Sequence, residues 1–487
     1  MTAPARGDLV ELAEPLPAGP LLNPDLAPTA ISARTWSRWH IASLWVGMSV
    51  CIPSYMLAAS MIQAGMTWQE SLLAVVLGNV IVLVPMVINA HAGTRYGIPF
   101  PVYARAAYGV RGAHLPSLLR AAVACGWFGI QTWVGGLAVS ALLAFVWPGW
   151  ASLGGDWRFM GYGLPQYAGF LTFWLINLWF VWAGTESIKW METLSAPFLI
   201  AMGLALLAWA VVRVGGLGVI LERSAELTAG RRSETGTHWL IGVFVPWLTA
   251  MVGYWATLSL NIPDFSRYAR SQQDQAVGQA VGLLTTMPLF AFIGIAVTGA
   301  TVVLYGEAIW NPVDLVARLA QERGSPLLGG LAMFVILIAT LTTNVAANVV
   351  APANSFANLS PARISFRAGG LIAGVLGIVI LPWKLLDMYQ GWLISYSGLL
   401  GAVGGVIVCD YVVIRRGHLK LAELYRQEGA YTYSAGVNRA AVGATAFGVL
   451  VAVAGRLPGL EFLFSGAWFS AAIAAFLLYY ALMRKAP

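Results

Sequence analysis

Charge is scarce in this sequence. Of 487 residues only 10% are charged, while 59% are hydrophobic and the mean hydropathy is +0.73. A soluble domain of this size carries far more charge on its surface, so a soluble fold is excluded. Cysteine is scarce too. The 3 present, Cys51, Cys125 and Cys409, lie in or beside apolar runs, which excludes a disulfide framework. The 5 His have no metal-ligand spacing and none precedes Glu, which excludes an intramembrane zinc protease of the His-Glu-x-x-His type. There is no nucleophile–base pair, so neither an enzyme nor a resident cofactor is expected. The amino-terminal stretch "MTAPARGDLVELAEPLPAGP" lacks the basic start, apolar core and cleavage site of a signal peptide. It reads as a cytoplasmic tail over 1–38.

What is present in quantity is the apolar run of about twenty residues. Such runs recur along nearly the whole chain and specify an all-α polytopic membrane protein. About twelve spans are expected, at 40–65, 69–92, 118–146, 165–183, 193–213, 238–261, 278–305, 327–352, 367–383, 390–413, 438–455 and 462–483. Most of the 28 Lys and Arg fall in loops that face one side if both termini are cytoplasmic, notably Arg95, Arg105 and Arg111, and Arg415, Arg416, Lys420 and Arg426. The basic balance of +7 therefore reflects membrane topology and does not point to nucleic acid. A multi-pass protein of the cell (inner) membrane follows.

Two spans carry helix breakers. Pro53 interrupts the first; Pro246 and Gly253 interrupt the sixth. They lie five spans apart, so the two units enter the membrane in opposite senses. Paired broken helices predict inverted repeats, 39–213 and 238–413, around a midplane binding site, with 438–483 as two additional spans.

Ionisable groups are nearly absent from the span interiors. Asp410 lies near the end of span ten and Asp264 just past span six. The polar groups at depth are neutral, which points to a neutral polar ligand. In "GWFGIQTW", Trp127 and Gln131 are four apart and share a helix face. A ring and an amide on one face can stack a planar ligand and pair with its edge. Structural reasons compete: most of the 21 Trp are packing or interface residues, and a buried Gln also joins helices. In "TTNVAANVVAP", Asn344 and Asn348 are likewise four apart, beside Thr342 and Thr343. Interhelical hydrogen bonding explains them as well as ligand binding does. Hydroxyls together with carbonyls from an unwound helix would suit Na⁺, a hard cation. Cys51, beside the first break, is a reactive thiol or a small apolar filler.

Several long stretches, "HAGTRYGIPFPVYARAAYGVRGAHLP", "GWFGIQTW", "WATLSLNIPDFSRYARSQQDQAVGQ", "TTNVAANVVAPAN" and "LGAVGGVIVCDYVVIRR", resemble the nucleobase:cation symport family one in the same order. The resemblance implies a leucine-transporter-type core of ten helices in inverted repeats plus two further helices. It implies that Trp127 and Trp255 flank a planar ligand and that Gln131 and Asn348 pair with its ring amides. Asn344 would support Asn348, and Gly253 would let its backbone approach the ligand. For sodium it implies the hydroxyls of Thr342 and Thr343 with backbone oxygens of Gly47, Val50 and Ala339. Cys51 stands where the hydantoin branch of the family has a substrate-binding Gln, which removes one hydrogen-bond partner.

A monomeric symporter working by alternating access is the expected function. Its substrate would be a uracil-type pyrimidine, with allantoin or hydantoin as the alternative. Sodium is the expected coupling ion, with H⁺ as the alternative. An uncoupled facilitator or channel is the rival class, and the paired breaks speak against it.

Overall fold

The computed structural model describes residues 8–12, 16, 19–183, 185–235 and 238–484. The first span is a broken pair, α1 (Arg38–Ser49) and α2 (Ile52–Gln63), bent by 56°. The bend falls at Val50 and Cys51. Cys51 is extended, and its N–H turns to the Ser49 carbonyl instead of continuing the ladder to Gly47. Pro53, near the start of α2, has no N–H to lose there. Next come α3 (Trp68–Tyr96), the short α4 (Phe100–Tyr108) and α5 (His114–Val146). Thr67 starts α3 through a reciprocal bond with Glu70, and Gly97 ends it in the left-handed region. The first half closes with α6 (Leu164–Ala183), α7 (Thr185–Val214) and α8 (Leu217–Thr235).

The second half runs through α9 (Val245–Asn261), α10 (Pro263–Ser266), α11 (Gln272–Tyr305), α12 (Pro312–Arg323), α13 (Pro326–Leu359), α14 (Phe366–Val379), α15 (Pro382–Asp387) and α16 (Tyr389–Val408). Helices α17 (Arg439–Ala454), α18 (Glu461–Ser465) and α19 (Ala467–Met483) finish the chain. Among the described residues seven helices are long and apolar enough to cross a membrane, and the bent pair makes an eighth. With α6 and the shorter apolar helices α14, α17 and α19, they follow the span order read from hydropathy.

One expectation is corrected. The sixth span is not broken at Gly253. A π-helical turn, Trp239–Phe244, leads into α9, which continues through Gly253 without interruption. Pro246, which has no N–H to donate, follows this π-helical turn directly, so the irregularity of the span lies there and not at Gly253. A Cβ at Gly253 would stand 2.6 Å from Ser397 Cβ and 3.0 Å from the Leu393 carbonyl. This glycine therefore serves the approach of α16.

The helices form two groups. Helices α1, α2, α3, α9 and α11 pack on one another, as do α5, α6, α13 and α14. Gly126 and Gly129 let neighbours close on α5. A Cβ at Gly129 would lie 2.5 Å from the Gly377 carbonyl, and one at Gly126 would lie 2.8 Å from Trp392. The described part of the amino-terminal tail is a strap along the helix ends. Leu26 is fully buried, Arg34 donates to the Thr94 carbonyl, and Arg267 donates to Thr29 and the Asp25 carbonyl. Burial lowers the Arg34 pKa to about 10.

Candidate functional site

A cavity of about 30 Å³ lies where the two groups meet. Its walls are Met48 from α1, Arg120, Trp127 and Gln131 from α5, Tyr254, Trp255, Thr257 and Leu258 from α9, and Thr343, Ala347 and Asn348 from α13. The fold thus brings Trp127, Gln131, Trp255 and Asn348 to one cavity from three separate elements. Trp127 is held edge-on by Trp392 at 4.9 Å, Tyr254 at 5.1 Å and Tyr389 at 6.0 Å between ring centroids. Its indole N–H donates to Tyr396 Oη at 3.2 Å. Trp255 packs edge-on against Trp45 and Tyr254. Both indoles are fixed by neighbours, so their faces are set before any ligand arrives.

Three residues of this cavity wall carry a buried polar atom without a partner, Arg120 at Nη1, Gln131 and Trp255. Gln131 Oε1 is a buried acceptor, and Trp255 Nε1 is a buried donor. Such groups cost free energy when left unpaired, so their coincidence on one cavity marks a place for a polar ligand. Asn344 is fully engaged by contrast. Its amide donates to the Phe128 carbonyl, Thr132 and Asn177, and its oxygen accepts from Asn348. It therefore orients Asn348 and takes no place in the cavity wall. Cys51 lies outside the cavity wall as well, in a triangle with Ser54 at 3.1 Å and Tyr254 Oη at 3.3 Å.

The expected cation donors lie on the end of α1 and within α13, two helices that touch. Gly47 has lost the N–H of Cys51 as a partner, Val50 caps α1, and Thr342 donates to the Ala339 carbonyl at 2.9 Å. These donors are all oxygens, as a hard monovalent cation requires. Thr343 faces the ligand cavity.

Sequence reasoning missed Arg120. The residue sits at the edge of the expected span 118–146, but α5 begins at His114, so Arg120 lies well inside the helix and is 2% exposed. Its Nε donates to the Thr257 carbonyl and to Asn261 Oδ1, both at 2.9 Å. The signal was available: Arg120 precedes Trp127 by seven residues, two turns on the same face. Tyr254, Tyr389 and Tyr396, which frame Trp127, carried no such signal, since an isolated Tyr in an apolar run is indistinguishable from packing. Among the described residues three carboxylates are buried, Asp264, Asp274 and Asp410. Asp410 is bound by Arg415 at 2.6 Å and Tyr479 at 2.7 Å, tying the end of α16 to α19. Asp264 accepts from the Phe100 N–H at 3.0 Å and from Asn261 at 3.2 Å. Burial raises the Asp264 pKa from 3.8 to about 6 despite these bonds. A wider cleft of about 310 Å³ lies at Glu307, Trp310, Asn311, Asp314 and Arg318. Trp310 stacks on Tyr389 at 6.3 Å, which connects this cleft to the Trp127 cluster.

Comparison with known proteins shows the family of the chain. The family model described as permease for cytosine/purines, uracil, thiamine, allantoin matches residues 28–476. The chain is 45% identical to a purine-uracil permease of Arabidopsis thaliana over 451 residues, covering 90% of this chain and 72% of that one. It is 39% identical to an allantoin permease of Bacillus subtilis, covering 96% and 94%. A nucleobase-cation-symport-1 family transporter, in a closed conformation with bromovinylhydantoin bound, superposes with a TM-score of 0.77 at 27% identity, covering 95% of each chain. A Na⁺-coupled sialic acid symporter shares the fold alone, with a TM-score of 0.63 at 13% identity over 92% of this chain and 91% of that one.

Proposed function

This chain belongs to the family of permeases for cytosine/purines, uracil, thiamine and allantoin, and on that premise we propose that it is a cation-coupled symporter for a planar oxo-heterocycle. The protein is a multi-pass membrane transporter and not an enzyme. The observation that carries the substrate reading is the pair of unpaired groups, Gln131 Oε1 and Trp255 Nε1, on a cavity walled by Trp127 and Trp255. A lactam or imide presents an N–H beside a C=O in one plane. Its N–H satisfies Gln131, its oxygen accepts from a donor, and its ring faces lie against indoles. A uracil-type pyrimidine is the first choice, supported by the Arabidopsis purine-uracil permease. Allantoin or hydantoin is the second, supported by the Bacillus relative and by the bromovinylhydantoin-bound transporter.

Sodium is the proposed coupling ion, held by Gly47, Val50 and Ala339 carbonyls with the Thr342 and Thr343 hydroxyls. Cys51 and Gly253 are kept as supporting positions behind the cavity wall: the thiol braces Tyr254, and the glycine seats α9 against α16. The proposed working units are the halves 39–213 and 238–413, in a monomer of the cell membrane with both termini cytoplasmic. Substrate and sodium then order the α1–α2 break together, and one helix group rocks against the other.

Uptake of labelled uracil by cells expressing the chain, with and without a sodium gradient and against unlabelled allantoin, hydantoin and purines, tests this. Sodium-dependent uptake blocked best by uracil is the expected result. Uptake that ignores sodium and collapses with the proton gradient retires the ion site. Uptake of allantoin or hydantoin without uracil retires the first-choice substrate.

A further inference from the structure

One group on the cavity wall has no place in the scheme above. Arg120 reaches from α5 across to α9, where its Nε is shared between the Thr257 carbonyl and Asn261 Oδ1. Its Nη1 is buried and has no partner. Arginine offers five N–H donors and no acceptor, so Nη1 can be satisfied only by an acceptor. No carboxylate bonds the guanidinium directly: Asp264 is reached through the Asn261 amide, which accepts from Arg120 and donates to Asp264 at 3.2 Å. The fork is therefore fixed at one nitrogen and free at another. Arg120 lines the cavity on the same face of α5 as Trp127 and Gln131, and Nη1 is its unpartnered nitrogen.

We propose that Arg120 is a specificity-determining residue, whose Nη1 donates to a carbonyl oxygen of the transported ring and so selects oxo- over amino-heterocycles at that edge. This rests on the reading of the cavity as a heterocycle site and names which ring chemistry it admits. At one edge uracil presents a ring N–H beside a carbonyl, where cytosine presents a bare ring nitrogen beside an amino group. The carbonyl accepts from the guanidinium; the amino group is itself a donor and leaves Nη1 unpaired while losing its own water. A site that offers a buried donor rejects the analogue lacking the acceptor much more strongly than an apolar pocket rejects a misfit. Hydrogen bonds to charged groups imply a discrimination of about 10- to 100-fold. Gln131 alone does not produce this, because its amide both donates and accepts and can turn to suit either ring.

The test is titration of the purified full chain with uracil and with cytosine, for wild type and Arg120→Gln, with the melting temperature as a folding control. Wild type is expected to prefer uracil by ~10-fold or more, and Arg120→Gln to bring the two affinities within ~3-fold. A merely structural joint between α5 and α9 would weaken both ligands alike and leave their ratio unchanged, which overturns the proposal. A wild-type ratio near one overturns it too. Should the Gln variant not fold, Arg120→Lys carries the test. An ammonium cannot hold Thr257 and Asn261 and also reach the ring, so the preference drops; an unaltered preference overturns the assignment. If wild type binds neither uracil nor allantoin nor hydantoin, the heterocycle reading falls first and this inference falls with it. Binding of uracil with an unchanged ratio in the variant removes this inference alone.

Discussion

At the scale of single residues, the site depends on rings held by their neighbours and on polar groups left without a hydrogen-bond partner. Trp127 is clamped by three rings and bonded to Tyr396, so its role needs no rearrangement of its own. Trp127→Ala is expected to weaken ligand binding by at least ~10-fold while the protein still folds, since stacking adds to the area buried. Titration of the purified variant beside its melting curve checks this, and unchanged affinity removes Trp127 from the site. Asp264 makes a different prediction. Its folded pKa of about 6 lies above the ordinary 3.8, so the folded state binds the proton more readily. The resulting stabilisation is full below about pH 4 and is lost as pH rises through about 6. The melting temperature of wild type relative to Asp264→Asn should therefore fall across that window. A difference that stays flat from pH 4 to pH 7 contradicts the burial argument.

At the scale of elements, close helix contact is the constraint that substitutions will feel most. A Cβ at Gly129 would lie 2.5 Å from a backbone oxygen of α14, which cannot swing aside as a side chain can. Gly129→Ala is expected to cost about 1–3 kcal/mol by overpacking, read as a lower midpoint in thermal or denaturant unfolding. Most of this level was legible in the sequence. Apolar length gave the order of spans, and Pro53 marked the true break of the first. Pro246 follows a π-helical turn, but Gly253 misled because a glycine also serves a neighbour's approach, so composition alone cannot say whether a helix parts or merely packs. Arg120 was overlooked for a related reason: the helix starts four residues earlier than its apolar run, and charge near a boundary reads as loop. The bonds that set Asn344 behind Asn348 join α5, α6 and α13 and have no local signature at all.

At the scale of the whole molecule, two groups of helices share one site and one expected ion. If sodium binds through Thr342 and Thr343, each ligand must raise the affinity of the other by the same factor. Ligand titrations at several sodium concentrations, and sodium titrations at several ligand concentrations, should return one coupling factor. Thr342→Ala with Thr343→Ala should bring that factor toward one. Retained coupling in the double variant would move the ion elsewhere. The 30 Å³ cavity carries a consequence of its own. An apolar void of roughly 150 Å³ is what a benzene ring occupies, and this one accommodates little more than a water or two. The ring must therefore wait for the walls to part. Its observed affinity is discounted by the rarity of the open form, and its arrival rate is set by protein motion instead of diffusion. The same tightness separates cargo from plug. A ring slim enough for the walls to close behind it is carried across, whereas one bearing a bulky substituent can enter the parted form, jam it there, and act as an inhibitor.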